Sequence, residues 1–165
     1  MDVAVIAASP QDRPIVERLL QLYEYDVSDF MDEDLDAEGV YQTTDTEAIW
    51  RPGRHTFLVK VDGKLAGFAL IARHQSYLGD GGTHLVEEFF VMRKYRRRGV
   101  GEHVARTLFD RFPGRWEVST THQNTAAQAF WRRVIGRYTN DAYREVAVDS
   151  DRWRGPVWTF GSPGP

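Results

Sequence analysis

The segment 96–101, Arg-Arg-Arg-Gly-Val-Gly, carries the residue types best suited to chemistry in this sequence. It precedes a stretch in which Val100, Val104 and Leu108 recur at helical spacing. The first N–H groups of a helix have no intrahelical partner and lie at the positive end of its dipole. Glycines let an anion approach the main chain, and arginines add charge-assisted hydrogen bonds. The segment therefore predicts an anion site at a helix N-terminus.

Two common phosphate motifs do not fit this loop. A P-loop would end in Gly-Lys-Ser/Thr, whereas Gly101 is followed by Glu102 and His103. A dinucleotide fingerprint would require a third small residue where Val104 stands. A solvated basic turn that merely precedes a helix remains an alternative.

The loop resembles motif A of the GNAT N-acetyltransferase superfamily, a strand ending in valine followed by R/Q-x-x-G-x-G/A. Val91 and residues 96–101 match the defined positions, although Arg93 stands where the family often has proline. Residues 124–131 (NTAAQAFW), followed by Gly136, resemble motif B, N-x-x-A-x-x-F-Y/W before a glycine. The two motifs lie in the family's order and spacing, and the surrounding elements extend the resemblance over most of the chain.

The resemblance implies that acetyl-CoA is the acyl donor and lies where two parallel strands splay apart. Main-chain groups around residues 90–92 would hold the pantetheine, and N–H groups of residues 98–102 with the Arg96 side chain would hold the pyrophosphate. Asn124 would bond the pantetheine arm, although it would serve equally well as a helix N-cap. The implied cofactor-binding residues are Phe90, Val91, Met92, Arg96, Arg97, Arg98, Gly99, Val100, Gly101, Glu102, Asn124, Phe130 and Trp131, of which the last two would also suit a core.

The resemblance further implies that an amine attacks the thioester directly, and that a glutamate on the preceding strand accepts its proton. Glu87 and Glu88 are the candidates. Because successive side chains of a strand point to opposite faces, we expect one of them to face the cleft, unless a bulge changes the alternation. Counting back from Val91 favours Glu87.

The group that protonates the departing thiolate is less clear. Many relatives have tyrosine where this chain has Trp131, and an indole cannot supply a proton. Tyr138, or else Tyr143, is the candidate replacement; the other options are a water molecule or unassisted departure.

The acceptor amine is expected to bind near the acidic, aromatic stretch 22–38. Carboxylates and aromatic faces suit a cationic amine, although the stretch would equally suit a solvated surface. A small polyamine, an aminoglycoside-like compound and a peptide amine are all open. The candidate substrate residues are Tyr23, Tyr25, Asp26, Asp29 and Phe30.

The order of elements predicts one α/β (α+β) domain over residues 1–165. The resemblance implies a mixed, mostly antiparallel sheet, with a central parallel pair that splays and helices on both sides. A helix begins after Ser9, the dipeptide Asp62-Gly63 predicts a hairpin, and the stretch up to Glu38 is either a second short helix or a loop. Strands are predicted over 3–8, 56–61, 64–72, 84–92, 116–120, 143–148 and 157–160, and further helices over 100–112 and 124–134.

Composition narrows the classes of function. The 165 residues include no cysteine and carry a net charge of −3, which argues against disulfides, thiolate metal sites and general nucleic-acid binding. The five histidines show no metal-ligand spacing, so we expect no metal. The start resembles no signal peptide and no apolar run would cross a membrane, so we expect a cytoplasmic protein with no membrane partner.

Two other functions remain in view. The basic loop beside Tyr95 could bind nucleic acid or phospholipid, and a family member that had lost catalysis could bind acyl-CoA as a sensor. Late apolar residues such as Trp158 and Phe160 would allow a homodimer. The sequence favours the enzyme, with a small-molecule or peptide amine as partner.

Overall fold

The computed structural model describes residues 1–42, 46–79 and 81–165. Within these residues, seven strands form a single sheet, in the order β1-β2-β3-β4-β5-β7-β6. Neighbouring strands are antiparallel, except for the parallel pair β4 and β5. The predicted mixed, mostly antiparallel sheet is confirmed. The strands are β1 Val3–Ala7, β2 Arg54–Val61, β3 Lys64–Gln75, β4 Gly82–Val91, β5 Gly114–Ser119, β6 Arg144–Asp149 and β7 Arg154–Ser162.

Three α-helices cover the two faces of the sheet: α1 Arg13–Val27, α2 Val100–Arg111 and α3 Thr125–Thr139. Apolar residues of α1 such as Leu19 pack on one face against Phe68 and Phe90. Residues of α2 and α3 such as Phe109 and Val134 form a larger core on the other face. Each helix therefore buries one apolar stripe, as its sequence spacing predicts.

Local sequence signals account for two of the turns. The predicted helix start is a 3-10 turn over Pro10–Asp12, in which the Ser9 N–H donates to the Asp12 carboxylate at 2.9 Å. In the β2–β3 hairpin, Asp62 and Gly63 have φ values of 48° and 74°. These positive angles suit the tight turn that the dipeptide predicts.

The parallel pair is short. The β4–β5 ladder contains three residue pairs, ending at Val86 and Val118. Because β4 continues to Val91, its last five residues have no strand beside them on the β5 side within the described chain. The crossover from β4 through α2 to β5 thus leaves a gap in the middle of the sheet.

A β-bulge changes the alternation of side chains along β4. Leu70 pairs with Glu88 and Ile71 pairs with Val86, so Glu87 is the extra residue. Glu87 and Glu88 consequently both reach groups on the α1 side of the sheet, which are Arg54 and Tyr23. The expectation that simple alternation would separate the two glutamates is wrong here, because the bulge adds one residue.

Several element boundaries differ from the prediction by a few residues. Helix α3 runs five residues beyond residue 134, to Thr139, and Asn140 ends it in the left-handed conformation with its N–H bonded to the Gly136 carbonyl. Of the two alternatives for the acidic stretch, the structure has the loop and not a second α-helix. Instead α1 extends to Val27, and turns lead to a single bridge between Leu35 and Tyr41.

We predict that Gly67→Ala destabilises the protein. An added Cβ would collide with the carbonyl oxygen of Phe90 across the β3–β4 ladder. Overpacking of this kind costs about 1–3 kcal/mol. The control is Gly161→Ala on β7, where nothing lies within 4 Å of an added Cβ, and it should change the free energy of unfolding by less than about 0.5 kcal/mol. Urea denaturation that ranks the two variants equally would contradict this packing.

Candidate active site

The segment 96–101, called the anion loop below, lies between the end of β4 and the first turn of α2. A 3-10 turn over Arg93–Tyr95 follows the strand, and Arg97 and Gly99 take left-handed φ values of 61° and 80°. In the first turn of α2, the first N–H group with a partner in the helix ladder is that of His103, which donates to the Gly99 carbonyl at 3.0 Å. The N–H groups of residues 100–102 therefore have no partner in the helix ladder. The arginines at 97 and 98 are exposed beside them.

Gly101 creates a shallow cradle beneath this loop. A Cβ at this position would stand 3.0 Å from Cε2 of Phe130 and 3.8 Å from Cε1 of Phe89. The ring of Phe130 therefore lies where a side chain on α2 would otherwise project. Gly101 thus lets α3 pack closely against the first turn of α2, and a side chain at this position would displace Phe130 beside the anion loop.

Arg96 lies at the end of β4 and is already engaged. Its Nε donates to the Val91 carbonyl at 2.7 Å, and its guanidinium also forms an ion pair with Asp26. Asp26 pairs in addition with Arg93 at 2.7 Å. Burial opposes ionisation, but the two guanidinium groups hold the pKa of Asp26 below its usual value. Asp26, predicted to bind substrate, is instead tied to the anion loop.

The residues of the second motif lie along α3. Asn124 is the N-cap of the helix, and its Oδ1 accepts the Ala127 N–H at 3.0 Å. The bond involves only the side-chain oxygen of Asn124, so the two N–H donors of its side-chain amide take no part in it. Trp131 is buried, with its ring centroid 4.9 Å from that of Phe89 on β4. Phe130 and Trp131 thus pack beside the gap.

Glu87 is held in an ion pair on the α1 side of the sheet. Its two carboxylate oxygens accept from Nε and the terminal nitrogen of Arg54 at 2.9 and 2.8 Å. This two-point pairing fixes the orientation of the carboxylate. Both oxygens of Glu87 are therefore engaged by Arg54.

Glu88 occupies a different environment. The hydroxyl of Tyr23 on α1 is near its carboxylate. Burial raises the pKa of Glu88 to about 7; the Tyr23 hydroxyl opposes the shift, and the charges of Glu24 and Glu87 add to it. A carboxyl group with this pKa changes protonation state near neutral pH, as a general base requires.

A further carboxyl pair lies near Glu88. Burial and the neighbouring Glu33 raise the pKa of Glu24 to about 7. Glu24 in turn raises the pKa of Glu88. Glu24 at the end of α1 and Glu33 after it therefore lie on the same side of the sheet as Glu88.

The structure does not bring the predicted tyrosine acid to the gap. The Tyr138 hydroxyl donates to Asp110 at 2.7 Å and lies 2.7 Å from Ser162 Oγ. Asp110 is nine residues beyond Gly101, which is about 13 Å along α2. Tyr143 packs beside Gly136 near the end of α3. Both tyrosines therefore lie away from the anion loop, and the prediction for Tyr138 is corrected.

The predicted substrate residues fall into two groups. Tyr23 contacts Phe68 and Phe90 edge-on and reaches Glu88, so it lies in the site. Tyr25 is 66% exposed, Asp29 is exposed, and Phe30 belongs to a turn after α1. These three form part of an exposed surface next to the site.

Sequence reasoning missed several groups at the end of β5. The Thr120 N–H bonds the Pro156 carbonyl at 3.3 Å, which continues the β5–β7 ladder beyond Ser119. The hydroxyl groups of Thr120 and Thr121 and the indole N–H of Trp153 are buried without a hydrogen-bond partner. No motif marks these residues, although two threonines at the end of a predicted strand are a usable signal.

The described residues contain no group of three or more His, Cys, Asp or Glu side chains that could hold a metal. Within the same part of the chain, no helix combines the length and the apolar character needed to cross a membrane.

A model of the acetyltransferase (GNAT) family matches residues 19–136, a span that includes the anion loop, the gap and most of α3. The fold and the match define an acetyltransferase with a mixed α/β sheet. This chain belongs to the GNAT acetyltransferase family, and the resemblance found in its sequence is confirmed. No curated protein matches the chain significantly.

Solved structures share the fold over nearly the whole chain. A GNAT-family acetyltransferase from Staphylococcus aureus Mu50 is 13% identical, with a TM-score of 0.66 over 97% of this chain and 99% of that one. An acetyltransferase from Thermus thermophilus is 16% identical, with a TM-score of 0.65 over 98% and 97%. At such low identity, the likeness concerns the fold alone.

We predict that the protein loses stability between pH 5 and pH 8, and that Glu88→Gln reduces the loss. The pKa of Glu88 rises from an ordinary value of 4.5 to about 7 on folding, so the folded state holds the proton more tightly. The resulting stabilisation is complete below pH 4.5 and disappears as the pH passes through 7. Glu24, whose pKa also rises to about 7, should account for the remaining loss in the variant. Thermal unfolding at both pH values tests this, and identical profiles for the two proteins would contradict it.

Proposed function

We propose that this protein transfers the acetyl group of acetyl-CoA to a primary amine, with Glu88 as the general base. The observation that carries the proposal is the position of Glu88, a carboxyl group with a pKa of about 7 on one wall of the gap between β4 and β5. The anion loop lies at the end of the same strand. Base and phosphate site are thus joined by one short stretch of β4.

The residues at the gap fit acetyl-CoA. The unpaired N–H groups of residues 100–102 and the exposed arginines at 97 and 98 suit a pyrophosphate. The free edge of residues 87–91 can pair with an extended amide chain such as pantetheine. The buried hydroxyl of Thr120 lacks a partner, as expected of a group that meets a ligand. The cofactor would supply a thioester activated toward nucleophiles.

Glu88 would accept the proton of the attacking amine, directly or through water. The nearby hydroxyl of Tyr23 on α1 favours its charged form. Because neither Tyr138 nor Tyr143 reaches the gap, the hydroxyl of Thr120 takes the place of the expected tyrosine as a hydrogen-bond donor on the thiol side.

The acceptor in this proposal is a cationic small molecule or peptide amine that binds on the α1 side of the sheet. Glu24, Glu33 and Glu88 bring excess negative charge to that side, and Tyr23 adds an aromatic edge. An ammonium group would be attracted to these carboxylates, and Glu88 could then remove its proton.

We expect acetyl-CoA and CoA to bind with micromolar Kd, and the double variant Gly99→Ala, Gly101→Ala to lose this binding. Gly99 has a left-handed φ of 80°, and a Cβ on Gly101 would stand 3.0 Å from Phe130. Isothermal titration measures both. The control is Gly161→Ala, which lies outside the site. A wild-type protein that binds neither ligand would overturn the proposal, and nucleic acid or anionic lipid would then be the next ligand to test.

We expect Glu88→Gln to lower kcat/KM for the amine by about 10²-fold or more, the range typical of a lost general base. In the wild type, kcat/KM should rise as the pH increases through about 7, because Glu88 must lose its proton to act. The assay can follow CoA release with a thiol reagent, since the chain has no cysteine to contribute background.

The matched control is Glu87→Gln. This neighbour is paired with Arg54, so its loss should lower kcat/KM less than tenfold once the variant is shown to be folded. A larger effect at Glu87 than at Glu88 would reverse the assignment of the base.

A further inference from the structure

The Arg96 guanidinium has three protein partners, although its residue belongs to the anion loop. Its Nε donates to the Val91 carbonyl at 2.7 Å, and a terminal nitrogen forms an ion pair with Asp26 on α1. Its Cζ also lies 5.8 Å from the centroid of the Phe90 ring. These contacts balance the charge of Arg96 and direct the side chain toward α1, so it contributes less to an anion site than its position in the loop suggests.

Asp26 is the partner of Arg96 at the end of α1, one residue before the helix ends at Val27. Its side chain is only 16% exposed, whereas the side chains of its two partners, Arg96 and Arg93, are 38% and 72% exposed. The more enclosed of the two ion pairs is therefore the one with Arg96. Because screening by water weakens exposed ion pairs most, this pair should stabilise the end of α1 more than the pair with Arg93 does.

The Asp26–Arg96 ion pair belongs to a closed set of four side chains. Tyr23 lies three residues before Asp26, on the same face of α1. The Tyr23 ring meets the Phe90 ring edge-on, with centroids 6.0 Å apart, and Phe90 in turn contacts Arg96. The end of α1 is therefore joined to the end of β4 at two neighbouring points, one ionic and one aromatic.

Glu88 lies next to this set of side chains. It stands two residues before Phe90 on β4, in a part of the strand without a bulge, so both side chains lie on the α1 side of the sheet. Burial is the largest cause of its raised pKa of about 7, and the Tyr23 hydroxyl opposes that shift. The other charged groups that act on Glu88 are Glu24 on α1 and Glu87 on β4. The position of α1 therefore controls how well Glu88 is shielded from water.

We propose that the Asp26–Arg96 ion pair holds the end of α1 over Glu88, and that Arg96 is a positioning residue rather than a ligand of the pyrophosphate. The unpaired N–H groups of residues 100–102 and the arginines at 97 and 98 would then hold the phosphates. This inference rests on the proposed function, because it concerns the base and the pyrophosphate site assigned there.

Titration with acetyl-CoA separates a positioning role of Arg96 from a phosphate-binding role. Arg96→Met removes the charge and the donors but keeps an apolar chain over Phe90, and we expect the Kd to stay within about threefold of the wild type. The double variant Arg97→Gln, Arg98→Gln should weaken binding by about tenfold or more, because it removes two guanidinium groups beside the phosphates. A comparable loss of affinity in Arg96→Met would overturn the inference.

The pKa of Glu88 reports the position of α1 without any ligand. It can be measured by NMR titration of labelled glutamate carboxyl groups, with Glu88→Gln to assign the signal. Asp26→Ala and Arg96→Met should each lower the pKa from about 7 toward 4.5, because a released helix end admits water. Tyr23→Phe should instead raise it, because this variant keeps the cover but removes the hydroxyl. Combining Asp26→Ala with Arg96→Met should lower the pKa no further than either change alone, since both break the same interaction.

The matched control is Arg93→Met. Arg93 also pairs with Asp26, but within the described chain its side chain forms no other hydrogen bond. This variant should leave both the pKa of Glu88 and the Kd of acetyl-CoA close to their wild-type values. If Asp26→Ala does not fold, Asp26→Asn removes the charge and keeps the shape.

An unchanged pKa of Glu88 in Arg96→Met, additive shifts in the double variant, or an equal shift in Arg93→Met would each overturn this inference. Failure of the proposed function would look different. In that case acetyl-CoA would not bind to the wild type, or no amine would release CoA, whatever the pKa of Glu88 does in these variants.

Discussion

The rest of the structure depends on the separation of β4 from β5 after three residue pairs. Main-chain groups in the middle of a sheet normally have ladder partners, because an unpaired buried peptide group is costly. Here β4 continues for five residues with a free edge, and the core stays closed because Phe89, Phe130 and Trp131 pack together on the α2–α3 side. The gap is thus supported by aromatic packing rather than by hydrogen bonds, which leaves the strand edge available to a ligand.

The bulge in β4 gives two neighbouring glutamates different chemistry. Without it, one of them would point into the core under α2 and α3. With it, both lie on the α1 side, where Arg54 donates to both oxygens of Glu87, while burial beside Tyr23 raises the pKa of Glu88 to about 7. The different environments of two identical side chains separate a structural ion pair from a candidate base.

Local patterns in the sequence predicted the order of the elements, the hairpin at Asp62-Gly63 and the glycine loop before α2, because each depends on residues close together in the chain. The bulge at Glu87 depends on how β3 pairs with β4, which no local pattern reveals. The partners of Tyr138 were missed for the same reason, since Asp110 and Ser162 are 28 and 24 residues away.

The ion pairs of Asp26 differ from the contact predicted for it, and they show how two parts of the site are held together. Its carboxylate was expected to hold the amine, but it joins the last turn of α1 to Arg96 in the anion loop. Tyr23 lies three residues earlier, on the same face of the helix. Fixing the end of α1 against the loop therefore also fixes the position of the Tyr23 hydroxyl near Glu88. The phosphate site and the candidate base are thus linked twice, once along β4 and once through α1, and the position of one constrains the position of the other.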